Sequence, residues 1–389
     1  MSNLEELIER LCPDGVEYKT LEKCCEILDK KRKPVAKSAR ISGEYPYYGA
    51  NGVQDYVSDY IFDGEFVLVG EDGSVITDKG TPVVTWASGK IWVNNHAHII
   101  SEINGVLLRY IYYYLQTVDV TIFIHGNIPK LTGKDFKSIK LPVPPLEVQR
   151  EIVRILDNFT FLTTELAAEL AARQKQYKYY RDLLLTFKSN ESTILNERTN
   201  ELELSGAIRW MKLGDIADIG TGNGNTNEGL DTGKYPFFVR SQDIKYKNEY
   251  DFDETAIITS GDGVGVGKIF HFVSGKYALH QRAYRVHIIS DNLLPKYFFY
   301  YFKNSFLTYI SKASFHSSVT SIRRPMMINF PVPVPPLEVQ QRIVGILDRF
   351  DVLCNDISSG LPAEIEARQK QYEYYRDKLL TFKELKKEA

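Results

Sequence analysis

Several stretches of this 389-residue chain carry residue types and spacings that could do chemistry. "GDGVGVGKIF" (Gly261 to Phe270) has the glycines and the lysine of a phosphate-cradling loop. A P-loop, however, needs glycine where Asp262 stands and serine or threonine where Ile269 stands, so a glycine-rich turn is the better reading. "GTGNGN" (Gly220 to Asn225) fails the dinucleotide pattern G-x-G-x-x-G in either register, because Asn225 or Asn227 takes the place of the last glycine. His96 and His98 alternate on an expected strand and so point one way, but no third ligand is in sight and hydrogen-bonding roles are favoured over a metal site. Cys12, Cys24, Cys25 and Cys354 form no C-x-x-C pair and read as reduced thiols. No nucleophile has a partnered histidine, and no pair of carboxylates has a supporting context. Any catalysis is expected to belong to a partner.

The elements around these stretches show a plan. A composition of 43% hydrophobic and 25% charged residues fits an ordinary globular chain of two or three domains. With no signal-peptide character at the start and no long apolar run, the chain is expected in the cytoplasm and away from membranes. "LPVPPLEVQREIVRILDNF" (Leu141 to Phe159) returns as "VPVPPLEVQQRIVGILDRF" (Val332 to Phe350), offset by 191. "ARQKQYKYYRDLLLTFK" (Ala172 to Lys188) returns as "ARQKQYEYYRDKLLTFK" (Ala367 to Lys383), offset by 195. Weaker matches such as "YPYY" (Tyr45 to Tyr48) with "YPFF" (Tyr235 to Phe238) extend the duplication leftward. The chain is therefore two copies of one unit with pseudo-two-fold symmetry.

Each copy is a divergent α/β globule followed by a helical tail. The first tail spaces apolar residues three or four apart from Ile152 to Leu184, which predicts a continuous amphipathic helix over 147–187, about 60 Å long. In the second tail, Gly360 and Pro362 should split the helix in two, with Ser358 or Ser359 capping nearby. If the two stripes bury one another, the helices run antiparallel as a coiled coil. "EFVLVG" (65–70), "PVVTW" (82–86), "TAIIT" (255–259) and "AYRVHII" (283–289) read as strands. The aromatic runs "GVLLRYIYYYLQ" and "LPKYFFYYFKNSFLTYI" read as core helices rather than base-stacking platforms. The expected fold class is thus mixed α/β. Its parts are a globule at 1–140, a helical region at 141–188, a linker at 189–206, a second globule at 207–331 and a second helical region at 332–389.

The pattern "PPLEVQ", "RIVGILDRF", "RQKQYEYYRD", present twice behind two unlike globules, resembles the specificity subunits of type I restriction-modification systems. "YPYYGANG" and "YIFDGEFVLVGEDGS" look like segments of that family's target-recognition domains. The resemblance implies a non-catalytic subunit in which each globule reads one half of a split double-stranded DNA target. It also implies that the helices fix the spacing of the halves and dock two methyltransferase subunits, with restriction and translocation subunits joining through the complex. S-adenosylmethionine, ATP and magnesium would belong to those partners, with no cofactor on this chain. A net charge of -2 does not advertise a nucleic-acid binder, but methyltransferase subunits that enclose the DNA would share the phosphate contacts. The alternative without the resemblance is a coiled-coil adaptor whose globules bind protein or glycan.

Bases are read by polar side chains on loops, Arg or Lys suiting guanine and Asn or Gln suiting adenine. The candidates in the first globule are Lys30, Lys31, Arg32, Lys33, Lys37, Asn51, Asn94, Asn95, His96, Asn127, Lys130, Thr132 and Lys134. Those in the second are Asn223, Asn225, Asn227, Arg240, Gln242, Lys245, Gln281, Arg282, Ser317, Ser318, Thr320, Arg323 and Arg324. For docking the methyltransferases, the repeated Tyr177, Tyr180 and Arg181, with Tyr372, Tyr375 and Arg376, are the residues expected to face a partner.

Overall fold

The computed structural model describes residues 2–73, 75–124, 129–187, 195–196, 201–202, 208–313 and 321–385. The chain forms two compact units, residues 1–167 with 364–389, and residues 168–363. Each unit therefore combines one divergent region with pieces of both tails.

Unit 1 holds a six-stranded sheet of β1 (Glu26–Ile27), β2 (Ser42–Gly49), β3 (Gly52–Val57), β4 (Phe62–Gly70), β5 (Val84–Val93) and β6 (Ala97–Ser101). Its strand order is β1-β6-β4-β5-β2-β3. Unit 2 repeats it with β7 (Ala217–Thr221), β8 (Tyr235–Phe238), β9 (Lys245–Lys247), β10 (Phe252–Ser260), β11 (Phe270–Leu279) and β12 (Ala283–Ile288), in the order β7-β12-β10-β11-β8-β9. In both sheets the pair β2 with β5, and β8 with β11, is parallel. The nearly continuous apolar run of β4 follows from burial on both faces. Alternate side chains Val67 and Val69 enter one core cluster, while Phe66 and Leu68 enter another. In β10, Ile257 is separated from Ala256 and Ile258 in the same way.

Helices cover one face of each sheet. Unit 1 begins with α1 (Ser2–Leu11) and carries the aromatic α2 (Leu108–Leu115), in which Tyr110, Ile111 and Tyr113 are fully buried. The long α3 (Leu146–Leu185) is unbroken over 40 residues, as its stripe predicts. Unit 2 carries the aromatic α4 (Pro295–Ala313), buried through Tyr297, Phe298, Phe302 and Phe306. The second tail forms two pieces, α5 (Leu337–Asn355) and α6 (Leu361–Leu379). Phe159 of α3 stacks on Tyr375 of α6, and Tyr177 and Tyr180 of α3 stack on Phe350 of α5. The first of these contacts lies within unit 1 and the other two within unit 2.

The break between α5 and α6 differs in detail from expectation. Asp356 organises it, accepting from the Ser358 N–H and from the hydroxyls of Ser358 and Ser359. These bonds hold its carboxyl down to about 2. Gly360 is required by close approach, because a Cβ there would meet the Val352 carbonyl oxygen at 2.4 Å. Pro362 lies in the first turn of α6, where its missing N–H costs nothing, so it starts that helix rather than breaking one. Within 189–206, the described residues form a two-residue ribbon of Leu195–Asn196 with Glu201–Leu202.

Candidate nucleic-acid interface

At one end of the unit 1 sheet, where β4 runs out, segment 71–73 pairs with 129–131 through Leu131 N–H to the Glu71 carbonyl (2.8 Å) and Gly73 N–H to the Pro129 carbonyl (3.1 Å). The β2–β3 turn and the β5–β6 turn converge there on an open cleft of about 690 Å³, lined by Asn51, Gln54, Asp72, His96 and Lys130 among others. Three separate sequence candidates, Asn51, His96 and Lys130, are thereby brought together. Gln54 and Asp72 complete the cleft and were not among the candidates.

The β5–β6 turn is held from within. Buried Asn94 donates its N–H to the Tyr48 carbonyl at 3.0 Å, and its side-chain oxygen accepts the His96 N–H at 2.8 Å. Asn94 also donates to the Gln54 side-chain oxygen at 3.4 Å. This turn ends the alternation at His96, so the two histidines do not share a face. His96 sits half exposed in the turn with its Nδ1 on the Asp72 carboxylate, whereas His98 is buried on β6 between the Asp29 carboxylate (2.6 Å) and the Leu131 carbonyl (2.9 Å), stacked on Phe136.

Arg32 is committed inward. Its guanidinium donates to Glu71 at 2.6 Å and to the Ala97 carbonyl at 2.7 Å, and its side chain is 12% exposed. Asp29, Glu71 and His98 form a cluster with metal-ligand composition. The Arg32 guanidinium already supplies the cation there. Burial alone would raise the Asp29 carboxyl, but bonds from His98 and Ile99 and the charge of Arg32 hold it below its ordinary value. Thr132 caps the short helix Gly133–Ser138 by accepting the Asp135 N–H. Lys30, Lys31, Lys33, Lys37, Asn95 and Lys134 are exposed, and Asn127 lies outside the described residues.

Unit 2 builds the same corner from other residues. His280 donates its N–H to the Phe238 carbonyl at 3.0 Å, and its Nδ1 accepts the Arg282 N–H at 2.9 Å. The acid that follows β10 is Asp262, at the place Asp72 occupies after β4. Its two oxygens accept from Arg240 Nη1 (2.7 Å) and Arg282 Nη1 (3.1 Å). Burial would raise this carboxyl, and the two guanidiniums hold it below its ordinary value. A loop over 222–225 packs along the end of β11, with Gly222 so close that a Cβ would meet the Leu279 carbonyl oxygen at 1.9 Å. It places Asn225 where Gln281 donates to its side-chain oxygen. Asn223, Asn227, Gln242, Arg323 and Arg324 are exposed, and Lys245 is partly buried on β9. Ser317, Ser318 and Thr320 lie outside the described residues. The glycine-rich stretch therefore contributes an arginine-binding carboxylate. Both acids were legible as the repeated Asp-Gly after each strand, Asp72-Gly73 and Asp262-Gly263.

The tails present a different surface from the one expected. Tyr177 and Tyr180 turn onto Phe350, Tyr375 onto Phe159, and Tyr372 onto Tyr113. Arg181 and Arg376 each bind the next aspartate, and Arg376 is 12% exposed. Among the repeated tyrosines of the tails, Tyr179 and Tyr374 face outward, 64% and 63% exposed. All four cysteines are free and buried, and burial pushes the thiols of Cys24 and Cys25 up to about 11 and about 12, which leaves them inert.

The model of the type I restriction modification DNA specificity domain matches twice, over residues 13–173 and 208–367. The chain belongs to this family of type I specificity subunits. It is 35% identical to the specificity subunit of the EcoR124I/EcoR124II enzyme of Escherichia coli over 72% of each chain. It is 36% identical to a Haemophilus influenzae protein provisionally assigned as such a subunit, over 98% of this chain and all of the other. The crystal structure of a type I S subunit from M. genitalium shares the fold, with a TM-score of 0.61 at 15% identity, covering 94% of this chain and 96% of the other. As a type I specificity subunit the chain is non-catalytic and carries two target-recognition domains, one in each unit. Among the described residues, no helix is long and apolar enough to cross a membrane.

Proposed function

We propose that the chain reads a bipartite duplex DNA target, one half-site per unit, through the corner where the β4–loop and β5–β6 turn meet in unit 1 and its counterpart in unit 2. The observation that carries this reading is one corner built twice with different polar side chains: His96 against Asp72 in unit 1, Arg240 and Arg282 against Asp262 in unit 2. A shared scaffold with unlike reading groups is what two unlike half-sites require.

The two similar tails dock two methyltransferase subunits, and the length of α3 sets the unspecified spacer between half-sites. Outward Tyr179 and Tyr374, at equivalent places in the repeat, give one partner surface the same anchor twice. S-adenosylmethionine, ATP and magnesium enter through the methyltransferase and restriction subunits. The test exchanges residues 1–140 for the equivalent region of a relative and maps the methylated motif in cells. One half of the motif should change while the other stays. A change in both halves, or in neither, would sink the reading.

A further inference from the structure

The corner gives each unit a seat for one side chain. Position 96 in unit 1 and position 282 in unit 2 are reached by the same backbone path: a preceding residue bonded to the parallel strand, whose own side chain then accepts the N–H of the seated residue. Under each seat stands the acid that follows the central strand, Asp72 or Asp262. The seated residues are the half-exposed His96 and the 60% exposed Arg282.

An acid beneath a guanidinium, as at Arg282, is informative about its target. Asp262, shared between Arg240 and Arg282, offsets part of the corner's positive charge, so the two guanidiniums attract a phosphate less than they would without the acid. A neutral base edge suffers no such loss. A tethered guanidinium also loses less rotamer freedom on binding, because one edge is already fixed. Among the described residues the single hydrogen bond from the Arg282 guanidinium is its Nη1 contact to Asp262, so further donors remain for a ligand. Guanine is the base that presents two acceptors, N7 and O6, to a two-donor fork in the major groove.

We propose that Arg282 reads a guanine in the unit 2 half-site, that Asp262 is its positioning residue, and that position 96 is the equivalent reading seat in unit 1. This rests on the proposed reading of the two units as half-site readers. The seat then sets one base pair per half-site while the scaffold under it stays constant.

The experiment uses the full chain assembled with its methyltransferase subunits. Its readouts are the methylated motif in cells and methylation rates on duplexes bearing the cognate pair or each alternative at every specified position. Arg282→Ala and Arg282→Gln should lower discrimination at one guanine of the unit 2 half-site roughly 10- to 100-fold, leaving the other specified positions and the whole unit 1 half-site intact. Arg282→Lys should keep part of the guanine preference, since a lysine also donates to N7 and O6. Asp262→Asn should reduce discrimination at that same pair, and Asp262→Glu should restore part of it. His96→Arg should give the unit 1 half-site a guanine requirement it lacks, a gain that a damaged fold cannot produce. An unchanged motif in Arg282→Ala, an equal loss of rate on cognate and altered duplexes alike, or no new requirement in His96→Arg would each overturn the proposal. If the exchange of residues 1–140 rewrites one half-site while these variants leave the motif alone, the seat is wrong and the half-site reading stands. If that exchange rewrites nothing, the half-site reading is what failed.

Discussion

The side-chain oxygen of Gln149 accepts a 2.9 Å hydrogen bond from the backbone N–H of Leu107, tying the start of α3 to the start of α2. Its amide nitrogen donates to the carbonyls of Pro144 (2.7 Å) and Gly105 (3.1 Å). Gln340 does the same in unit 2, accepting from Leu294 and donating to Pro335 and Asn292. Both glutamines are fully buried, and both belong to the repeated "PPLEVQ". The repetition of that motif has a physical cause: it writes the joint between sheet domain and helix. Tyr110 to the Pro142 carbonyl and Tyr297 to the Pro333 carbonyl, each 3.1 Å, complete the joint.

Gln340→Leu should therefore destabilise unit 2 by about 2–4 kcal/mol, because one buried and two part-buried backbone groups lose their partner together. Denaturant unfolding of the purified chain measures it. A midpoint equal to that of the parent chain would show that the amide does not carry the joint.

Tyr179→Ala with Tyr374→Ala should weaken association with methyltransferase subunits roughly tenfold or more while leaving the melting temperature of the chain unchanged. Tyr180→Ala should behave in the opposite sense, costing about 1–2 kcal/mol of stability through its lost packing on Phe350. Titration by light scattering or calorimetry separates the two. Normal association by the Tyr179 and Tyr374 double variant would remove this face from the interface.

Acid should weaken unit 2 through two histidines. Burial lowers His271 below its ordinary value of 6.5, against the raising effect of the Ser241 carbonyl. Burial and then the charge of Arg240 lower His280, with Arg282 adding to the fall and Asp262 and Glu228 opposing it. As pH drops through 6.5 the unfolded chain takes up protons that the folded histidines refuse. Their contribution is thus complete above 6.5 and is lost as pH falls toward the depressed folded values. Melting temperatures from pH 7.5 to 5.5 for the parent and for His271→Gln with His280→Gln should diverge in slope, the variant being flatter. Parallel curves would exclude the histidines as the source.

The stretch "TELAAELA" (Thr164 to Ala171) is two near-identical four-residue blocks, and a third block, AELA, inserted after Ala171 should extend α3 by about 6 Å with an approximately preserved stripe. At about 3.4 Å per base pair, the unspecified spacer should lengthen by one or two pairs with both half-sites intact. The methylated motif in cells reads this directly. An unchanged spacer would mean that α3 is not the ruler.

The sequence showed its periodic elements and concealed its turns. The stripe from Ile152 to Leu184 and the β-branched runs of β4 and β10 were legible because burial imposes a period. Alternation places His96 and His98 on one face, but the turn made by the Asn94 side chain separates them, and that local bond leaves no period. Tyr177 and Tyr180 fall on the apolar stripe, while their repetition also marks them for a partner. A repeated residue can equally be repeated to pack, and Phe350 is itself part of the repeat. Arg32 looked like part of a basic run, while its partners Glu71 and Ala97 lie far along the chain and only the fold brings them near.

The duplicated joint divides the chain into positions that answer to neighbours and positions that do not. Gln149, Tyr110 and the Pro142 carbonyl must fit one another, as must Gln340, Tyr297 and the Pro333 carbonyl, so a change in one demands compensation in another. The seated residues beyond the strand ends make no bond to the joint. A drifting lineage can therefore replace what is recognised without renegotiating how the subunit is held, and mutational tolerance is concentrated where novelty is useful.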